Sequence, residues 1–197
     1  PLIEHGIDID LALAVKRSAI TQPVEVNEET QGNILEFIAG RLSVVLKDLG
    51  FKHDVVEAVL AEQSANPAAS ARAVKQLQAW IGREDWSSIL DGFARCVRII
   101  RSAGVSSEQL SVINDKLLVE AEEIALNKAL QTVNRQPSTV NDLLEAVVKL
   151  IPSINAFFDK VLVMAEDPKM KQNRLALVGQ IANLSNGIAD LSKLEGF

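Results

Sequence analysis

Apolar residues recur along this chain at intervals of three and four, and no stretch alternates with period two over a useful length. Leu110, Ile113, Leu117, Ala121, Ile124, Leu130 and Val133 form one such row. A helical turn of about 3.6 residues returns every third or fourth side chain to the same side, so the row predicts a core-facing helical stripe. Segments of this pattern, bounded by capping and breaking residues, predict helices at 9–20, 28–49, 52–63, 67–81, 84–102, 107–134, 139–165 and 168–192. The fold expected is all-α, a bundle of about eight helices.

The polar punctuation agrees. Gly50, Gly82 and Gly104 each follow a periodic stretch, where a left-handed cap favours glycine because it has no Cβ. Asn27 precedes Glu28 and Glu29, a short acceptor for the orphan amides followed by carboxylates at the positive end of the helix dipole. Asn66-Pro67 and Asp167-Pro168 pair a cap with proline at the first helical position, where its missing N–H costs little. Ser106 to Gln109 has capping-box spacing and Thr139 to Asp142 imitates it. Pro152 cannot donate to the helical ladder and its ring clashes with the carbonyl four residues back, so a kink or break is expected there. A glycine and several serines at 102–107 suggest a seam between shorter helices in 1–104 and longer ones in 105–197. The later stripes need the earlier helices to cover them, so the chain reads as one helical unit, 1–197, with that seam.

Composition narrows the class. Aromatics make up only 4% and Tyr is absent, whereas Ala, Leu, Val, Ile, Glu, Lys and Gln dominate, which is helix-forming vocabulary. With 48% hydrophobic and 23% charged residues, the chain can build a core and is neither disordered nor collagen-like. A single cysteine, Cys96, excludes an intramolecular disulfide, so the expected compartment is the cytoplasm. No apolar run approaches the roughly 20 residues of a membrane span. No basic-then-apolar leader precedes the first predicted helix.

Net charge is −6, which argues against nonspecific nucleic-acid binding by the whole surface, but the charge is unevenly placed. Residues 1–40 hold seven acidic and two basic side chains, whereas Phe93 to Gly104 holds Arg95, Arg98 and Arg101 and no acid. Spaced three apart, these arginines lie along one side of a helix. They read either as a solvated face paired with acids such as Glu57 or Glu62, or as a phosphate-binding ridge. Guanidinium suits the second role because its planar fork binds phosphate through two hydrogen bonds and stacks on bases. Lys52, Arg72 and Lys75 would extend the ridge if their helices pack beside it. Trp80 and Trp86 flank Gly82 near a helix junction, either as partly buried core or as stacking platforms for bases.

No catalytic constellation is legible. His53-Asp54 resembles a metal-binding dipeptide, but only His5 remains as another histidine, so no metal site is expected. Cys96 has no local nucleophile signature and reads as a packing residue. The glycines are spread along the chain as caps and turns rather than gathered in a phosphate loop. Glu122 with Glu123, and Glu166 with Asp167, read as solvated helix faces.

Specific identity enters at Phe157-Phe158-Asp159-Lys160-Val161-Leu162-Val163-Met164-Ala165-Glu166-Asp167, followed by Asn173-Arg174-Leu175-Ala176-Leu177. This block closely resembles the C-terminal end of the bacterial glycyl-tRNA synthetase beta subunit. The segment from Gly50 to Ala61 and the segment from Arg72 to Trp80 resemble the same family in the same order, so the likeness spans most of the chain. It implies a helical anticodon-binding module of the DALR type, ending a longer subunit that supplies tRNA recognition. The alpha subunit of such enzymes joins glycine and tRNA, using ATP and magnesium; this domain itself is expected to be noncatalytic and to hold no cofactor.

The resemblance makes the chain a fragment or separated domain. Its expected partners are the tRNA(Gly) anticodon loop, the alpha subunit and the remainder of beta, with no membrane. Arg95 matches the family run around it. Ala94 and Arg98 replace a family lysine and asparagine, His53 stands where an aromatic is usual, and Gly196-Phe197 extends past the family's end.

Phe157, Phe158, Val161, Leu162 and Met164 are expected to pack the core. Asn173 and Arg174 are expected to reach a phosphate or to cap a neighbouring helix. The reading is a tRNA anticodon-binding domain; the alternative, prompted by the acidic balance of 1–40, is a helical protein–protein interaction domain for synthetase assembly.

Overall fold

The computed structural model describes every residue except 106–109, 111 and 134. Among the described residues there are eight α-helices and no strand. They are α1 (Leu11–Ile20), α2 (Glu28–Asp48), α3 (His53–Gln63), α4 (Pro67–Ile81), α5 (Trp86–Ala103), α6 (Ala121–Thr132), α7 (Val140–Lys160) and α8 (Pro168–Ala182). The expected caps form where their chemistry placed them. Asn27, Asn66 and Thr139 accept from the amides of Thr30, Ala69 and Asp142, and Asp167 takes those of Lys169 and Met170.

The chain divides into two compact units. The first comprises Pro1–Gly82 with Gly187–Glu195, the second Arg83–Asn186 with Gly196–Phe197. The seam expected at 102–107 falls within the second unit and partly outside the described residues; the division lies between Gly82 and Arg83. Helix α5 packs against α7 and α8, which groups it with the later helices.

In the first unit α2, α3 and α4 pack in sequence around Leu42, Leu46, Val55, Val56, Val59, Val74 and Leu77, all buried. Residues 187–195 close over α3. The Gly187 amide meets Glu62 at 2.7 Å, the Asp190 amide meets the Ala58 carbonyl at 2.8 Å, and the Ile188 carbonyl accepts from Gln63 at 2.7 Å. Ile188, Ala189, Leu191 and Leu194 are buried there. The last helix was expected to reach 192; it stops at Ala182 because the chain turns through a short 3-10 helix and a left-handed Gly187, φ +73°, before returning to α3.

In the second unit α7 packs on α5 and α6, and α8 on α5 and α6. Two further expectations change here. Pro152 does not break α7, which runs unbroken from Val140 to Lys160. Proline costs a helix interior about 3 kcal/mol, and the burial of Leu143, Leu144, Val147, Leu150, Ile154 and Phe157 on both sides of it outweighs that.

The long helix expected at 107–134 is instead α6 alone, preceded by a 3-10 turn at Asp115–Leu117 and an extended link. The capping signal at Ser106 lies outside the described residues. A capping box between Glu120 and Glu123 starts α6, and this restart resets the helical phase. Glu123, Leu126, Asn127 and Leu130 therefore face inward, and Ile124, a member of the predicted stripe, is 51% exposed. Gly82 also departs from expectation, with φ −80°, whereas Gly50 and Gly104 are left-handed caps at +90° and +61°.

Candidate nucleic-acid interface

Gly92 of α5 faces Ile151 of α7. A Cβ placed there would lie 2.6 Å from Ile151 Cδ1, so the absent side chain lets the helices meet. One turn further along each helix, Arg95 reaches across to Asn155, Phe158 and Asp159. Its guanidinium carbon stands 4.6 Å above the centroid of the Phe158 ring. Nη1 lies 3.5 Å from Asn155 Oδ1 and Nη2 lies 3.8 Å from Asp159 Oδ1. Phe157, fully buried, meets Phe158 edge-on at 5.4 Å and 80°, which orients the ring that carries Arg95.

Arg98 and Arg101 continue along α5. Arg98 is 3.7 Å from Asp91 on its own helix, and both guanidiniums approach the ring of Phe197, at 5.4 and 6.0 Å. The ridge is therefore partly compensated rather than acid-free. Its acids come from one turn before the arginine window and from α7, not from Glu57 or Glu62. Glu57 binds Lys47 at 3.1 Å, which holds its carboxyl below the usual range, and Glu62 takes the Gly187 amide. The contacts to Asp159 and Asp91 are long and the acids are 67% and 69% exposed, so each pair contributes only about 0–1 kcal/mol. Such arginines remain exchangeable with an external anion.

The other expected contacts distribute differently. Lys52, Arg72, Lys75 and Trp80 belong to the first unit. The Lys52 amide binds Gln78, and Lys75 is exposed. Arg72 pairs with Asp8 at 2.7 Å and, with Asn66, holds that carboxyl below its ordinary value. Trp80 is half-buried, while Trp86, buried at the start of α5, belongs to the core and presents no stacking face.

Asn173 and Arg174 are also buried, at 4% and 6% exposure, which takes them off the surface and away from any phosphate; both bind within the unit without themselves capping a helix. Asn173 accepts from the Asn114 amide at 2.7 Å and donates to its carbonyl at 3.1 Å. Arg174 Nε pairs with Glu123 and Nη1 donates to the Leu162 carbonyl at 2.9 Å. Glu123 in turn accepts the amides of Val119 and Glu120 at 2.7 and 2.9 Å. These two residues fasten the link before α6 and the segment after α7.

The Phe157–Asp167 block divides as well. Beyond Lys160 the chain is extended, so side chains alternate: Val161 and Val163 are buried, and Leu162 and Met164, expected in the core, are 70% and 42% exposed. Asn155, Phe158, Asp159 and Phe197 surround the arginines of the candidate site and were not among the residues that sequence reasoning named for it. The signal for two of them was present, since Phe158 and Asp159 sit in the family block, but it was read as packing.

Cys96 is fully buried, and burial pushes its thiol up to about 12. Among the described residues no group of three or more His, Cys, Asp or Glu is placed to hold a metal. Among them too, no helix is long and apolar enough to cross a membrane.

Exposed arginines stacked on aromatic rings of a helical unit are chemically suited to phosphate contact. Residues 89–191 match the DALR anticodon binding domain, and the chain is a member of that family. It is 31% identical over 206 residues to the glycine–tRNA ligase beta subunit of Rhodospirillum centenum, covering 99% of this chain and 29% of that protein. The beta subunit of Vibrio cholerae El Tor is 31% identical over 204 residues, covering 98% and 29%. The chloroplastic/mitochondrial glycine–tRNA ligase 2 of Arabidopsis thaliana is 30% identical over 201 residues, covering 100% and 18%. The chain thus spans less than a third of the length of these relatives.

Proposed function

We propose that this chain is the noncatalytic tRNA-binding module of a glycine–tRNA ligase, and that the α5–α7 face of its second unit receives the anticodon loop. The observation that carries the reading is Arg95, stacked on Phe158 and loosely held by Asp159, within the span that matches the family. Arg95 and Arg98 contact loop phosphates, with Arg101 farther along the same side. Phosphates supply affinity, and neighbouring polar groups supply choice among bases. The glycine-joining chemistry, with its ATP and magnesium, belongs in this reading to the alpha subunit, and the assembly works in the cytoplasm.

Anisotropy titration of a labelled tRNA(Gly) anticodon hairpin tests it. Affinity falls as salt rises, because bound phosphates release counterions. Absence of binding even at low salt overturns the reading.

A second reading is favoured by one observation on α2. Ile34, Phe37, Val44 and Val45 are each 38–63% exposed, and Arg41 lies over the Phe37 ring at 5.3 Å. A solvent-facing apolar row on a helix whose other side is already packed fits a contact with the alpha subunit or the rest of beta. In sedimentation with the alpha subunit, Phe37→Asp would then abolish association while leaving hairpin binding intact.

A further inference from the structure

Arg95 by itself would hold any phosphate of any RNA, and a carboxylate beside it works against that, because it repels the same phosphates. Asp159 nevertheless occupies this position, on the exposed rim of an arginine that is stacked on a ring of α7. It does not lock Arg95: at 3.8 Å the two are adjacent but beyond the roughly 2.7–2.9 Å of a charge-assisted hydrogen bond. With its side chain 67% exposed, Asp159 keeps acceptor capacity for an outside partner. A donor fork and a bare acceptor thus stand side by side, flanked by the Asn155 amide and backed by an aromatic ring. That combination complements the edge of a nucleobase better than it complements a phosphate.

We propose, resting on the anticodon-loop reading above, that Asp159 is a specificity-determining residue. Its carboxylate accepts from the exocyclic amino group of an unstacked base while Arg95, with five N–H donors, donates along one edge to the neighbouring ring nitrogen and keeps others for a loop phosphate. On their pairing edges cytosine and adenine set such an amino group beside a ring-nitrogen acceptor, whereas guanine sets its amino group beside an N–H that would oppose the Arg95 donor. Uracil presents a carbonyl oxygen where cytosine presents its amino group, and a carboxylate facing that oxygen is repulsive. Selectivity then comes as much from rejection of uracil as from attraction to the amino-bearing base. Weakening of Arg95 for generic phosphate is part of the same device.

The experiment is a set of anisotropy titrations of the full chain with labelled oligo(rC), oligo(rA) and oligo(rU), for the native protein, Asp159→Asn and Arg95→Ala, with circular dichroism as the check on folding. Asparagine keeps the shape, but its amide can turn to accept from an amino group or donate to a carbonyl, so it cannot discriminate. The native chain prefers oligo(rC) and oligo(rA) over oligo(rU) by about tenfold, and Asp159→Asn brings the ratio near one, chiefly by tightening oligo(rU). Arg95→Ala weakens all three, and oligo(rC) and oligo(rA) most, because these lose the base contact together with the phosphate contact.

Native binding without preference, or an Asp159→Asn variant that tightens all three by one factor, overturns the base-reading role and leaves the anticodon-loop reading standing. Failure of the native chain to bind any of the three or the hairpin at low salt overturns both.

Discussion

Arg95 and Arg174 are the same side chain in two settings within one unit, and they teach how burial assigns a role. Arg174 is 6% exposed, pairs with a Glu123 that has no exposure at all, and also holds the Leu162 carbonyl. Its carboxylate partner Glu123 is itself fixed by the capping box that starts α6. Removing one member leaves a charge stranded in a medium that cannot solvate it. Arg95 is a third exposed, its nearest carboxylate is 3.8 Å away and open to water, and its best contact is the face of a ring. Solvent can replace each of its partners, and so can RNA. One arginine holds the fold and the other is available.

The largest effect expected from this contrast is on stability. Glu123→Ala strands Arg174 and costs about 3–5 kcal/mol, read as a lower urea midpoint at unchanged slope, whereas Asp159→Ala costs under about 1 kcal/mol. Equal losses would break the contrast.

Next comes the helix approach that positions Arg95. Gly92→Val drives a branched side chain into Ile151 and lowers stability by about 2 kcal/mol, with weaker hairpin binding than the native chain. A neutral result by chemical denaturation would mean that the Ile151 methyl, at the end of its side chain, swings aside and the helix contact is kept.

On the binding side, Arg95→Ala leaves the denaturation midpoint within about 1 kcal/mol of native but weakens the anticodon hairpin about tenfold and reduces the salt dependence by about one phosphate. Arg174→Lys, by contrast, lowers stability without altering that salt dependence.

The smallest expected effect lies at the start of α8, the helix that carries Arg174. The amides of Met170 and Lys169 hold the Asp167 carboxyl below its ordinary value of 3.8. A carboxylate with a depressed folded value contributes stability above its unfolded value and loses it as pH falls through the folded one. Asp167→Asn keeps a capping oxygen without the charge. Its midpoint deficit against native should therefore be present near pH 6 and vanish as acid protonates the native cap; a deficit independent of pH would assign the effect to shape alone.

Much of the architecture was legible because it is local. Asn27, Asn66, Thr139 and Asp167 each accept amides two or three residues ahead, and a capping side chain needs nothing distant to do so. The misreadings arose where distant segments decide. The row from Leu110 to Ile124 looked continuous, yet the clamp of Asn173 on Asn114 and the restart at Glu120 interrupt it. Leu162 and Met164 keep a helical spacing from Phe157 and Phe158, but α7 ends at Lys160 and extended chain turns them outward.

For the site, the arginine ridge and the Phe158-Asp159 block were each visible as patterns, 60 or so positions apart, and nothing local joined them. Helix content, most helix starts, the absence of a second thiol and the family block follow from order and composition, because capping, propensity and covalent inventory act within a few residues. Which polar side chains are spent inside the unit and which remain on its surface was settled only by packing. Burial depends on the neighbours that arrive from elsewhere in the chain, and the cost of desolvating a charge, far larger than any local preference, is what separates Arg174 from Arg95.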